Sequence, residues 1–367
     1  MRYFRTYMVV VLCMLSHMAC LDPVEFNVST DFSDSLVIQG RIIKGDPSFI
    51  EVSIKNLFDF SAESRQPIDV RRVEIRDDMG RTMEISPFTP GSYFQELDAS
   101  APLLAEVGRS YQIVVERSNG DIIESSLELL PPNVPPRELN IGNVERVFMD
   151  RITGDISSEE LVSLSIDTEV DIENDGGLLW DVRSRFRVTD SGLFDGTIRQ
   201  CYLDRKTSVN DILVLDPDIF SSGVINDVEL LSIPISSLFF EGYYFEVKQY
   251  GLTPTAFAYW RGVDILSERE GQPFDVPVGE VQTNLINTSN PDREVYGYFY
   301  SAEEQIIRKR IEREFFEGVL PHCPQPRAEC QIEGVIVPVG CRCGLCCDCR
   351  DEPRSTEIKP DFFEGFD

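Results

Sequence analysis

The sequence predicts a mainly β protein: two β-sandwich-like, immunoglobulin-like domains, the second with an inserted helix, followed by a disulfide-rich C-terminal tail. Three observations carry this. Short runs of alternating apolar residues recur between turn signals. A proline-rich stretch at 131–139 divides them, with four prolines between Pro131 and Pro136. Seven of the ten cysteines fall after residue 320, five of them within CRCGLCCDCR, 341–350. At 367 residues and 42% hydrophobic, the chain is long enough for two packed cores and too apolar for general disorder.

The first domain is expected within 20–130. LVIQGRIIKG and FIEVSIKNLF read as strands separated by Gly45, Asp46 and Pro47. VEIRDDMGRTMEI places alternating apolar residues on either side of an Asp-Asp-Met-Gly turn. YQIVVERSNGDIIESSLEL holds Asn119-Gly120, a pair that accepts positive φ and favours a tight hairpin. The prolines of LLPPNVPPREL then make a stiff linker, because a fixed φ and a missing N–H suit neither helix nor ladder.

The second domain is expected over 140–320, with strands in LVSLSIDTEV, LWDVRSRFRVT, DILVLD and YYFEVKQYG. Tyr243, Tyr244 and Phe245 are expected to alternate into a sheet. One helix, 254–270, interrupts the strands: Thr253 caps it, Pro254 suits its first position and Gly271 its end. Phe257, Trp260, Val263 and Leu266 share one face there, read as core packing. QTNLINTSNPDREVYGYFY returns to strand, with Asn290-Pro291 as a turn. SAEEQIIRKRIEREFF admits two readings, a helix with Ser301 and Glu304 as a capping box, or a strand. Residues 321–367 form the tail.

The first twenty residues have the layout of an export signal. Arg2 and Arg5 precede an apolar run from Met8 to Leu15, and Ala19 precedes Cys20. The run is too short to span a bilayer. Residues 1–19 are therefore expected to be removed, and Cys20 to be the lipidation site, as in a lipobox. The removal takes two arginines and no acid, moving the formal charge from −29 to −31. So acidic a surface repels phosphate, so no nucleic-acid partner is expected.

Several blocks carry a family resemblance in consistent order: CLDPVEF, LVIQGRI, CYLDRKTSVNDILV, VKQYGLTPTAFAYWRG, NTSNPDREVYGYFYSA and the closing CCDC…TEIKPDFFE. Together they resemble the Bacteroidota outer-membrane lipoprotein family called domain of unknown function 4249. The resemblance implies two β domains on a lipid anchor in the outer membrane, often paired with a TonB-dependent receptor barrel, and no enzymatic activity. The Asp22 and Glu25 acids behind Cys20 resemble signals for cell-surface display, and Asp34-Ser35-Leu36 is similar to a short O-glycosylation motif.

Without Cys13 and Cys20, eight cysteines remain: Cys201, Cys323, Cys330, Cys341, Cys343, Cys346, Cys347 and Cys349. An even set in an exported chain is expected to oxidise, although roughly a hundred pairings are open to it. Cys201 lies far from the rest, so one bridge is expected to tie the tail to the second domain. Cys343-x-x-Cys346, Cys346-x-x-Cys349 and His322 beside Cys323 have ligand spacing for zinc, but exported thiols oxidise, and a staple is the better reading. No metal or cofactor is expected.

Enzyme chemistry finds little support. His322 is the one histidine left outside the signal, and no phosphate-cradling glycine loop or HExxH motif occurs. The run DIENDGG, 171–177, begins like a calcium loop, but Val182 stands where a bidentate glutamate is needed. The expected function is non-catalytic: an accessory or ligand-capture component of a TonB-dependent uptake complex, at the cell surface. A structural or adhesive surface lipoprotein is the alternative, and a carboxylate-based hydrolase a weaker one.

Overall fold

The computed structural model describes residues 35–56, 70–149, 154–170, 176–190, 192, 196–207, 212–216, 223–267, 281–316, 318–323, 331–332, 335–336 and 348–363. The expected export signal with Cys20, Asp34, residues 171–175, and Cys330, Cys341, Cys343, Cys346 and Cys347 lie outside them. Among the described residues no helix is long and apolar enough to cross a membrane.

The chain is mainly β. The first half supplies β1 (Leu36–Lys44), β2 (Ser48–Asn56), β3 (Val70–Asp77), β4 (Thr82–Glu84), β5 (Pro87–Thr89), β6 (Ser92–Leu97), β7 (Ser110–Arg117), β8 (Ile122–Ser125) and β9 (Glu128–Leu129). After the prolines come β10 (Glu138–Met149), β11 (Ile156–Glu169), β12 (Leu178–Thr189), β13 (Gln200–Lys206), β14 (Leu213–Leu215), β15 (Val224–Pro234) and β16 (Tyr243–Gly251). Helix α1 (Pro254–Ser267), β17 (Leu285–Asn287) and β18 (Val295–Arg310) follow.

Turn chemistry sets the local order. Asp77 closes the β3–β4 turn, its carboxylate accepting the backbone N–H groups of Met79 and Arg81 at 3.0 and 2.8 Å. β7 turns into β8 through Asn119-Gly120, with Gly120 at φ +92°. Thr253 caps α1, its hydroxyl accepting the Ala256 N–H at 3.2 Å.

Chain order and strand order part company at β18. Its first half lies parallel to β1, Leu36 opposite Val295 and Lys44 opposite Glu303, while its second half pairs antiparallel with β16. One sheet therefore runs β13-β12-β16-β18-β1-β2-β6-β5 across both halves of the molecule. A second sheet, β17-β8-β7-β3-β4, faces its β1 end, and the three strands β10-β11-β15 form a separate sheet. Two sandwich cores follow. Ile38, Ile50, Val73, Tyr111, Ile113 and Phe299 fill the first; Val162, Trp180, Phe186, Phe239 and Phe245 fill the second. Leu285, Val295 and Phe299 belong to the first core although they lie far beyond the prolines. At Gly297, φ is +99° and a Cβ would stand 2.0 Å from the Ile38 carbonyl oxygen.

The stretch 301–316, open to two readings in the sequence, is strand as far as Arg310. Ser301 caps nothing there; its hydroxyl donates to the Glu128 carbonyl at 3.2 Å. Tyr243 and Phe245 point into the second core and Tyr244 to the opposite face, the expected alternation. The linker is fastened by a buried amide: Asn133 Nδ2 donates to the Gln249 and Glu303 carbonyls, and Gln249 Nε2 to the Val134 carbonyl. Gln249 Oε1 accepts from Trp180 Nε1 at 2.8 Å and Thr168 at 2.9 Å.

The tail is stapled where the sequence suggested. Cys201 on β13 and Cys349 form a disulfide with Cα atoms 5.9 Å apart. Residues beyond it run back over the sheet. Thr356 and Tyr202 exchange two backbone hydrogen bonds, Glu352 pairs with Arg205 at 2.7 Å, and Phe363 is buried against Tyr202 and Tyr244. The Arg308 guanidinium lies 4.3 Å from the Phe362 ring centroid. Cys349 is thereby committed to a bridge, which removes the Cys346-x-x-Cys349 ligand pair. Cys323 is buried in the second core.

Candidate functional site

A cleft lies between α1 and the outer face of the shared sheet. Side chains two apart on a strand share a face, so the parallel β1–β18 register sets up rungs there. Gln39 stands between Ser53 and Tyr298, Arg41 between Glu51 and Tyr300, and Ile43 between Phe49 and Ala302. Helix α1 supplies the opposite wall. Tyr259 stacks on Tyr298 with centroids 4.7 Å apart and planes at 28°, and Trp260 meets Tyr300 edge-on at 5.9 Å.

Of the four-residue stripe expected on α1, Phe257, Trp260 and Val263 pack against the buried cluster beneath the helix and Leu266 does not. Ala256 and Tyr259 are the helix's buried positions, Phe257, Trp260 and Val263 are partly buried flanks, and Leu266 is 45% exposed. The reason is close approach: a Cβ on Gly177 would sit 2.1 Å from Phe257, so that ring rests on backbone, and Tyr259 faces the sheet. Trp260 is left to line the cleft.

Two cavities flank the stacked Tyr259–Tyr298 pair, which lines both. The smaller, about 210 Å³, is lined by Gln39, Arg41, Glu51, Ser53, Trp260 and Tyr300. Arg41 Nε and Nη2 both donate to Glu51 Oε2, at 2.8 and 2.5 Å. The guanidinium also lies 5.4 and 5.8 Å from the Phe49 and Tyr250 ring centroids. Burial pushes the Tyr300 hydroxyl up from its ordinary pKa, so it stays protonated beside Arg41.

The larger lobe, about 530 Å³, is bounded by Glu128, Thr255, Val281, Asn284 and Tyr298. Glu128 is 3% exposed. Its carboxylate accepts from Tyr298 Oη at 2.5 Å, Thr253 at 2.9 Å, Thr255 at 3.3 Å and Asn284 at 3.4 Å. Burial nonetheless holds its pKa above the ordinary value, outweighing those donors. Both oxygens are engaged, which makes Glu128 a fixed polar floor. A general base needs a free oxygen to take a proton.

Two sequence candidates fall elsewhere. His322 accepts or donates at Nδ1 to Ser237 Oγ, 2.8 Å away, in the second sandwich. Burial and then Arg205 lower its pKa, keeping the ring neutral, while Glu241 and Glu352 pull the other way. Val182 is buried in β12. No cluster of three or more His, Cys, Asp or Glu side chains suited to a metal occurs among the described residues. Arg41, Tyr298, Tyr300 and Glu128 were missed by the sequence reading. The alternation Tyr298-x-Tyr300 was the available signal; Glu128 had none among 63 acids.

Fold and cleft thus define a class: a double β-sandwich joined by one continuous sheet, with a cavity between its helix and that sheet. A family model described as "Domain of unknown function (DUF4249)" matches residues 21–308. The chain belongs to that family, and every cleft residue named above lies inside the matched span. No curated protein matches the chain.

Proposed function

We propose that this chain is a non-catalytic ligand-capture lipoprotein of the outer membrane, anchored through Cys20 at the cell surface and serving a TonB-dependent uptake barrel. The observation that carries the capture reading is the cleft itself. It is a largely pre-formed cavity with aromatic walls and a few fixed polar groups, the general form of a small-molecule site. The lipoprotein layout of residues 1–20 and the family resemblance support the anchor and the barrel. Tethering a binding module to the barrel's membrane raises the local ligand concentration without any new contact.

The test is a pull-down of the tagged full-length protein from its native outer membrane, with mass spectrometry of what accompanies it. A stoichiometric TonB-dependent barrel is the expected result. A lone lipoprotein refutes the uptake coupling. The adhesive reading gains from one feature: the β10–β11 hairpin exposes Val147, Phe148, Met149 and Ile156, each at least 45% exposed. A partner retained through that hairpin in place of a barrel would favour it.

A further inference from the structure

We infer that the smaller lobe of the cleft binds a neutral saccharide, one pyranose-type ring. The inference rests on the capture reading and names its ligand class.

Charge balance comes first. Arg41, the one cation lining the smaller lobe among the described residues, is neutralised by Glu51. An ionic ligand would have to give up its water for a site whose charges already satisfy one another, which is costly in a partly buried cavity. A purely apolar ligand fares no better, since Gln39, Arg41, Glu51 and Ser53 would lose water without gaining a partner.

Unused hydrogen-bonding capacity comes second. Gln39 lines the lobe with an amide that can both donate and accept. On the neighbouring strand both bonds from Arg41 fall on Glu51 Oε2, and Oε1 has no partner among the described residues. Ser53 adds a hydroxyl on the adjacent rung. A ligand that both accepts from and donates to these side chains is met by vicinal hydroxyls. Their ring also presents C–H faces to the Trp260 and Tyr259 walls.

Size agrees. A volume of about 210 Å³ equals about seven waters of liquid. That is room for one six-membered ring with its hydroxyls.

The experiment is calorimetric titration of the purified full-length protein with neutral oligosaccharides (glucan, xylan, mannan and galactan fragments). Uronate oligomers and free nucleosides serve as charged and aromatic controls. We expect at least one neutral series to bind, with the uronate analogue weaker by tenfold or more. Trp260→Ala removes an aromatic wall and should abolish binding, and Trp260→Phe, with a smaller ring, should weaken it about fivefold. Trp180→Phe, deep in the second core, reports on general damage, and unfolding curves check that the variants fold. The chain has two tryptophans. Trp180 is buried against Gln249, so a fluorescence change on binding should survive Trp180→Phe and vanish with Trp260→Phe. No binding by any neutral saccharide, binding of nucleosides in their place, or binding indifferent to both Trp260 variants overturns the inference. A recovered barrel without saccharide binding leaves the capture reading standing and removes this ligand; saccharide binding without a barrel does the reverse for the uptake coupling.

Discussion

Replacing Cys201 and Cys349 together with serine should free the tail from the second sandwich, and the size of the effect can be worked from the chain. The bridge spans 148 positions. On the chain-entropy account a loop of that length stabilises by about 5 kcal/mol at 25 °C, by restricting the unfolded ensemble. Part of the tail's own docking survives reduction. Phe363 is 1% exposed, and burying such a ring contributes about 1.5–3 kcal/mol. The two Tyr202–Thr356 hydrogen bonds add about 0.5–1.5 kcal/mol each. The double variant should therefore keep a native sandwich while losing about 3–5 kcal/mol in urea titration, with residues after 323 cut first in limited proteolysis. A loss below about 1 kcal/mol with the tail equally protected would refute the staple as a source of stability. Phe363→Ala in the oxidised protein separates the contributions: the tail should loosen but stay tethered, at a cost of about 2 kcal/mol.

Further predictions concern the sheet and its buried charges. Gly297→Ala places a Cβ against the Ile38 carbonyl at φ +99° and should cost about 3 kcal/mol or more, seen as a lower urea midpoint or as insoluble protein. Burial alone would raise the pKa of Glu246, but Arg185 at 2.8 Å and Arg308 at 2.6 Å hold it below its ordinary 4.5. Its stabilisation is present above pH 4.5 and lost as pH falls through the folded value. Glu246→Gln should cost about 3–5 kcal/mol at neutral pH and flatten part of the acid limb of a stability–pH curve. Glu128 has the opposite sign: its raised folded pKa gives stability that is full below pH 4.5 and declines as pH rises through that folded value. Glu128→Gln should remove that decline, whereas Glu128→Ala strands four donors and should cost at least about 2 kcal/mol in the same titration.

What the sequence disclosed was local. Period-two alternation, the Asn119-Gly120 turn, the Thr253-Pro254 helix start and the isolated position of Cys201 each act within a few residues or through simple counting. All four appear in the structure. What it withheld was pairing at a distance. Val295 to Glu303 resembles any half-buried strand, and nothing local says that its partner is β1. The alternative helical reading of 301–316 shows the limit: Ser301 and Glu304 have cap spacing, and tertiary pairing overrode it. The cleft inherits the same blindness. Arg41 and Tyr300 become neighbours through the parallel register, and Trp260 faces them because Phe257 rests on Gly177.

The parallel β1–β18 ladder also dictates a timetable. Lys44 and Glu303, ion-paired at 2.6 Å, are 259 positions apart in the chain. A chain emerging from its N-terminus has most of the first sandwich in hand early, yet that sandwich stays open until nearly all of the remaining strands have been delivered. Non-local closure of this kind is slow, and it leaves sheet edges exposed in the meantime. The proline-rich linker is correspondingly a poor place to cut. A fragment ending there would lack β17 and β18, which supply Leu285, Val295 and Phe299 to its own core.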